Sequence, residues 1–559
     1  MLYPKSNKYR DVYNLNGIWN FSLVSNDYIP IEAKRDSMLM PVPASYNDLV
    51  TDKKLRDYEG KVLYEREFSV PLRDACLYRL RIGATSHKCS VYLNGKLIGQ
   101  GINGFYPIDL PLENLMEKNR ISVVIDNRVT DENLPVGEFV RGKQVYHYDF
   151  YNYTGIHRDT LVYTVPKAYI EDITIKTVVD GDYSLVGVCV KTKSENIKFT
   201  VKDMDGKVVL TTDKFLFRIE NPVLWDIGKP YLYTLIVETE TDMYEENFGI
   251  RKVEVVNDKF LLNGRPVYFK GFGMHEDFFI IGKGASDAVN IRNFECLKWI
   301  NANSFRTSHY PYSEQIMELA DRYGFMVIDE VPAVGMYRFG GANAFGDGGL
   351  VTDKTKAIHK ELIKQLIERD KNHPCVVMLS VANEPATHEP IAREYFKDIV
   401  SYTRGITDLP LTLVHCNDFK DDKCSDLVDV ICLNRYYGWY HDHGNIDDVR
   451  ASMPDELARF NSKYHKPIII TEFGADTVEG IHSLPDETFS EEYQKELIEE
   501  HCELFDELDY VIGEHIWNFA DFKTKQGLRR VRGNRKGVFT KERQPKFVAH
   551  WLKQRWENI

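Results

Sequence analysis

The sequence predicts two β-sandwiches followed by a (β/α)8 TIM barrel, and three observations carry the prediction. Up to about residue 256, short alternating runs are broken by turn-forming residues; beyond it, β-rich runs alternate with helical periodicity; and eight such β-rich runs can be found there. The 559 residues suit several domains, each large enough to bury its own core.

Residues 1–165 hold runs such as WNFSLV, LYRLRIG, CSVYLNGKLIGQG and ISVVIDNRV, with hairpin dipeptides such as Asn94-Gly95 between them. This is the pattern of a jelly-roll sandwich. Residues 166–256 repeat it with shorter strands, including YSLVGVCVKTK and YLYTLIVETE, at the spacing of a small immunoglobulin-like module. The stretch Asp203-Met204-Asp205-Gly206 imitates the start of a calcium loop, but Lys214 falls where the bidentate Glu belongs, so a hairpin turn is expected.

Over residues 257–559, helical patterns such as NIRNFECLKWINA and SEEYQKELIEEHCELFDEL separate the eight strand runs. These runs are PVYFKGFG, NSFRTSHYP, FMVIDEVP, CVVMLSVANE, LTLVHCN, DVICLNRYY, PIIITEFG and YVIGEHIWNF. Eight β/α units close a barrel whose chemistry sits at the C-terminal ends of its strands.

Composition narrows the class of function. Hydrophobic residues make up 43% and charged ones 28%, as in a globular protein. A net charge of −13 disfavours a nucleic-acid partner, which needs a basic face. The nine cysteines form an odd, scattered set without a CxxC pair, which suggests reduced thiols and no metal site. With neither a signal-peptide run nor a long apolar stretch, no membrane association and a cytoplasmic location are expected.

Two strand runs end in an unusual way. CVVMLSVANEP delivers Asn383 and Glu384 against Pro385, and PIIITEFG delivers Glu472 three β/α units later. Either glutamate alone would serve equally well as a salt-bridge partner. Together, on the fourth and seventh strands, they can converge across the barrel mouth as the carboxyl pair that glycosidic cleavage requires. His309, at the end of the second strand, is a further candidate, with a rim hydrogen bond as the alternative.

The runs RTSHYPY (306–312), DKNHPCVVMLSVANEP (370–385), CLNRYYGWY (432–440), IITEFGADT (469–477) and GEHIWNFADF (513–522) resemble the barrel segments of glycoside hydrolase family 2. FYNYTGIHRD (150–159) resembles that family's other signature, and within the family the chain is most similar to the bacterial β-glucuronidases. The resemblance implies retaining hydrolysis of β-D-glucuronides without a cofactor, with Glu384 as acid/base and Glu472 as nucleophile. Asn383, beside Glu384, is placed to bond the sugar 2-hydroxyl or to make a strand-end turn, and Tyr437 and Trp517 serve either as a hydrogen bond to the nucleophile and a sugar platform or as core packing. Asp149 matches a residue that reaches a sugar hydroxyl, with a buried structural carboxylate as the alternative, and Arg530 matches an active-site position. Asn534 and Lys536 match an Asn-x-Lys motif that grips a uronic acid's carboxylate, within LRRVRGNRKG, where Arg532 replaces an expected small residue. A homotetramer is implied as well. The alternatives are a β-galacturonidase or β-galactosidase of the same family, or a carbohydrate-binding protein without catalysis.

Between Val334-Gly335 and a helix expected near Thr355 lies a glycine-rich segment, 336–350, shorter than the corresponding loop of the family's enteric members. Its glycines, Gly340, Gly341, Gly346, Gly348 and Gly349, lead to the expectation of a pliant lid that leaves the leaving-group side open.

Overall fold

A computed structural model describes the whole chain except Met1, Asn103 and Gly340. Gly340, one of the lid glycines, therefore lies outside the described residues.

The first sandwich pairs a six-stranded antiparallel sheet with a four-stranded one. In the larger sheet the strands lie in the order Met38–Val42, Gly17–Val24, Lys61–Phe68, Asn119–Asp126, Lys88–Leu93 and Lys96–Gly101. Because successive strand residues point to opposite faces, Trp19 and Phe21 are buried while Ile18 and Asn20 face outward. Phe21 meets Tyr64 edge-on with ring centroids 5.1 Å apart, and Trp19 donates its indole N–H to the Leu15 carbonyl.

The second sandwich stacks a three-stranded sheet on a four-stranded one, around Ile173, Val186, Phe199, Leu235 and Val237. Here Asp203-Met204-Asp205-Gly206 forms the hairpin turn expected of it. Gly206 donates its N–H to the Asp203 carbonyl, and the Asp203 carboxylate accepts from the N–H groups of Asp205 and Lys207, so it is spent on its own turn.

All eight strand runs read from the sequence form the closed parallel barrel: Phe269–Gly273, Ser304–Arg306, Met326–Glu330, Val376–Asn383, Leu411–His415, Val430–Asn434, Ile468–Glu472 and Val511–Ile516. Each strand touches the barrel interior on one side and helices on the other, so every residue of Val376–Asn383 is buried. A small antiparallel sheet over Val253–Pro266 sends Phe260 and Leu262 into the barrel core, where Phe260 packs edge-on against Phe269 at 5.0 Å.

Aromatic residues from the first sandwich, among them Phe105, Tyr148 and Phe150, belong to the same core as the barrel. Phe105 stacks on Tyr310 with centroids 4.5 Å apart. The sandwich is thereby fixed against the barrel mouth rather than tethered to it. Among the described residues no helix is long and apolar enough to cross a membrane.

Candidate active site

A cavity of about 620 Å³ opens at the C-terminal ends of the barrel strands, and both Glu384 and Glu472 line it. Its wall also includes Asn383, Asn434, Tyr436 and Trp517 from the barrel, and Tyr146, Tyr148 and Asp149 from the first sandwich.

Glu472 terminates the seventh strand and is 5% exposed. Its Oε1 accepts from Arg306 Nη2 at 2.5 Å and its Oε2 from the Tyr436 hydroxyl at 2.8 Å. Arg306 ends the second strand, is fully buried, and gives its other arm to Glu330 at 2.9 Å. Glu330 also accepts from the Ser380 hydroxyl and meets His309 Nδ1 at 2.7 Å. The guanidinium is thus locked between two carboxylates and aimed at the one facing the cavity.

Glu384 follows the fourth strand with φ +49°, a left-handed backbone that costs a non-glycine residue roughly 1–3 kcal/mol. Its N–H is tied to the Val414 carbonyl, which holds the bend, and its carboxylate accepts from Asn434 Nδ2 at 2.8 Å. The strain turns the side chain toward the cavity just before Pro385.

Burial pushes both carboxyls up from their ordinary range, Glu472 to about 8, and the nearby Glu384 adds to the rise at Glu472. The contacts distinguish the two. Arg306 and Tyr436 favour the anion at Glu472, whereas Glu384 receives a direct bond from the neutral amide of Asn434 alone. These contacts favour the pair's first negative charge on Glu472 over Glu384.

The other sequence candidates fall around this pair. Asn383 is buried beside it, with Oδ1 accepting from Arg306 and Asn434 at 3.3 Å. His309 stacks on Trp517 with centroids 5.1 Å apart. Gly273 makes room for that indole, since a Cβ there would lie 2.6 Å from the ring. Asp149, Arg530 and Asn534 line the same cavity. Lys536 is fully buried behind the wall, its ammonium held by Asp476 and by the Tyr440 hydroxyl at 2.8 Å.

Tyr437 needs correcting. It was expected at the nucleophile, but its hydroxyl donates to Glu456 at 3.0 Å, and its neighbour Tyr436 makes the contact to Glu472. Successive residues beyond a strand end point opposite ways, and the loop after Asn434 turns Tyr436 inward. Sequence reasoning also passed over Arg306, Glu330 and Asp476. Arg306 and Glu330 end the second and third strands, and that position was the available signal; Asp476 lies in the loop beyond the seventh strand and carried none.

The glycine-rich segment 336–350 is tied down more firmly than its composition suggests. Arg338 reaches Glu138 of the first sandwich at 2.8 Å and the carbonyls of Asn343 and Gly348, while the Glu389 carboxylate accepts from the N–H groups of Ala344 and Phe345. Thr352 then caps the helix Asp353–Asp370. Phe339 stays exposed at the cavity rim and stacks on Tyr337 at 4.2 Å.

One trio away from the cavity, Asp321, His373 and Cys375, has metal-ligand spacing. The Asp321 carboxylate is already taken up by His373 Nδ1 at 2.5 Å and by the Cys375 N–H. The trio lies at the N-terminal end of the fourth strand, opposite the cavity.

Three family models match in series. The sugar binding domain of glycosyl hydrolases family 2 matches residues 12–166, the model described as glycosyl hydrolases family 2 matches 168–251, and that family's TIM barrel domain matches 253–559. The chain belongs to glycoside hydrolase family 2.

The chain is 41% identical to a β-glucuronidase of Streptococcus agalactiae serotype V, over 100% of this chain and 98% of that one. To the β-glucuronidase of Homo sapiens it is 37% identical, covering 100% of this chain and 93% of the relative. Among solved structures, a β-glucuronidase from an uncultured Clostridium sp. superposes with a TM-score of 0.97 at 45% identity, covering both chains fully. A Ruminococcus gnavus β-glucuronidase in complex with uronic isofagomine gives 0.95 at 38% identity, over 100% of this chain and 98% of that chain.

Proposed function

We propose that this protein is a retaining β-glucuronidase, which hydrolyses β-D-glucuronides to D-glucuronic acid and an alcohol or phenol. The observation that carries the proposal is the asymmetric carboxyl pair: Glu472 held by Arg306 and Tyr436, and Glu384 facing the same cavity with only an amide on it.

In the first step the ionised Glu472 attacks the anomeric carbon as Glu384 gives its proton to the leaving oxygen, forming a glycosyl ester. In the second, Glu384, now a carboxylate, takes a proton from water. The water oxygen bonds to the anomeric carbon, the ester breaks, and Glu472 is restored. Asn383 bonds the sugar 2-hydroxyl, and the indole of Trp517, backed by His309, forms a platform for the ring. Arg530, Asn534 and the buried ammonium of Lys536 supply the positive end that a uronic acid requires, each charge-assisted contact contributing about 1.5–3 kcal/mol. The assembly is a homotetramer in the cytoplasm.

The test is a panel of one chromophore carried as β-D-glucuronide, β-D-galacturonide, β-D-galactoside and β-D-mannoside. The glucuronide should be turned over at least about a hundredfold more efficiently than the others. A galacturonide preference would overturn the assignment of the sugar.

A further inference from the structure

Arg530 and Lys536 bring two positive charges to one side of the cavity, and two carboxylates already neutralise them. Asp476 accepts from Arg530 Nη1 at 3.1 Å and from Lys536 Nζ. Asp149 accepts from Arg530 Nε at 2.8 Å and Nη2 at 2.6 Å, and its Oδ2 accepts from Asn534 Nδ2 at 3.0 Å. The Tyr440 hydroxyl takes what remains, from Arg530 Nη2 at 2.6 Å and Lys536 Nζ at 2.8 Å.

In this arrangement the donors that face the cavity from Arg530 and Asn534 are committed to a carboxylate before any sugar arrives. The carboxylate of a uronic acid would need these same donors, so one resident must yield. The two differ sharply in burial. The side chain of Asp476 is 3% exposed, whereas that of Asp149 is 43% exposed and stands in the cavity wall on a loop of the first sandwich.

We propose that Asp149 is a resident stand-in for the sugar's carboxylate, which occupies Arg530 and Asn534 in the empty site, yields them to an incoming uronate, and reclaims them to drive the product glucuronate out. The proposal rests on the glucuronidase reading above. The cost of the stand-in is an apparent dissociation constant for uronates equal to the intrinsic one divided by the fraction of time Arg530 stands free.

The test compares D-glucuronate with D-xylose, which carries the same ring hydroxyls and lacks the carboxylate, so any hydroxyl contact of Asp149 cancels in the ratio. Binding is read by titration calorimetry, which does not depend on turnover, in the parent and in Asp149→Asn and Asp149→Ala. The ratio of xylose to glucuronate dissociation constants should rise about threefold or more in both variants. An unchanged ratio overturns the proposal, and a falling one shows that Asp149 instead orients Arg530 for the carboxylate. If Ala alone does not fold, Asn decides. A parent that binds glucuronate no better than xylose would overturn the glucuronidase reading itself, a separate outcome from either variant result.

Discussion

Arg306 donates Nη2 to Glu472 Oε1 across 2.5 Å with both side chains shut away from solvent. A buried carboxyl otherwise resists ionisation, and this contact is the strongest force opposing that resistance at Glu472. Replacing Arg306 by Lys should keep the charge but lose the fork that reaches Glu330 and Glu472 together. The acid limb of the kcat/KM profile marks ionisation of the nucleophile, so activity falls as pH drops through that value. Weaker support for the anion moves the limb to higher pH. A limb that stays put in Arg306→Lys would show that Arg306 does not control Glu472.

Tyr436 and Tyr437 should separate cleanly. Tyr436→Phe removes a donor to the Glu472 carboxylate, so the acid limb should rise and kcat should fall by roughly tenfold or more. Tyr437→Phe frees only a bond to Glu456 and should leave the limb in place. Equal pH shifts in both variants would contradict the assignment.

Glu472→Gln should abolish nearly all turnover while leaving the thermal midpoint close to that of the parent, because an amide of the same shape cannot form the glycosyl ester. Glu384→Gln should lose most on substrates with poor leaving groups, and added azide should restore part of its rate on activated aryl glucuronides. Proton NMR should find the β-anomer of glucuronic acid first. An α-anomer would exclude retention.

Lys536→Ala should lower kcat/KM for glucuronides by about 10² or more, one charge-assisted contact together with the partners it leaves unmatched, while β-glucosides are spared. Comparable losses on both substrates would make the Lys536–Asp476 pair a structural support for the loop and remove the main cation from the uronate site.

The barrel was legible because its strands are apolar runs that end abruptly in polar residues, and the same contrast exposed Glu384 and Glu472. What stayed hidden depends on geometry that local pattern does not carry. Between Tyr436 and Tyr437 the decision is made by the direction of a loop, and the two are chemically identical to a reader of the sequence. Arg338 clamps a loop whose composition suggests pliancy, because its partner Glu138 belongs to another domain. The pairing of Asp149 with Arg530 spans 381 positions and three domains' worth of chain, beyond any periodicity.

That the first sandwich supplies part of the cavity wall bears on how such a protein could be rebuilt. Tyr146, Tyr148 and Asp149 come from it, and Phe150 enters the common core. A barrel expressed by itself would keep both glutamates yet stand open on one flank, with Arg530 left to Asp476 alone. Grafting a foreign sandwich in its place would therefore succeed only if the donor carried an acid at the position of Asp149 and a matching apolar seam. The natural unit of exchange for engineering a new sugar preference is thus the segment 146–150 together with the loop bearing Arg530, transplanted as a pair.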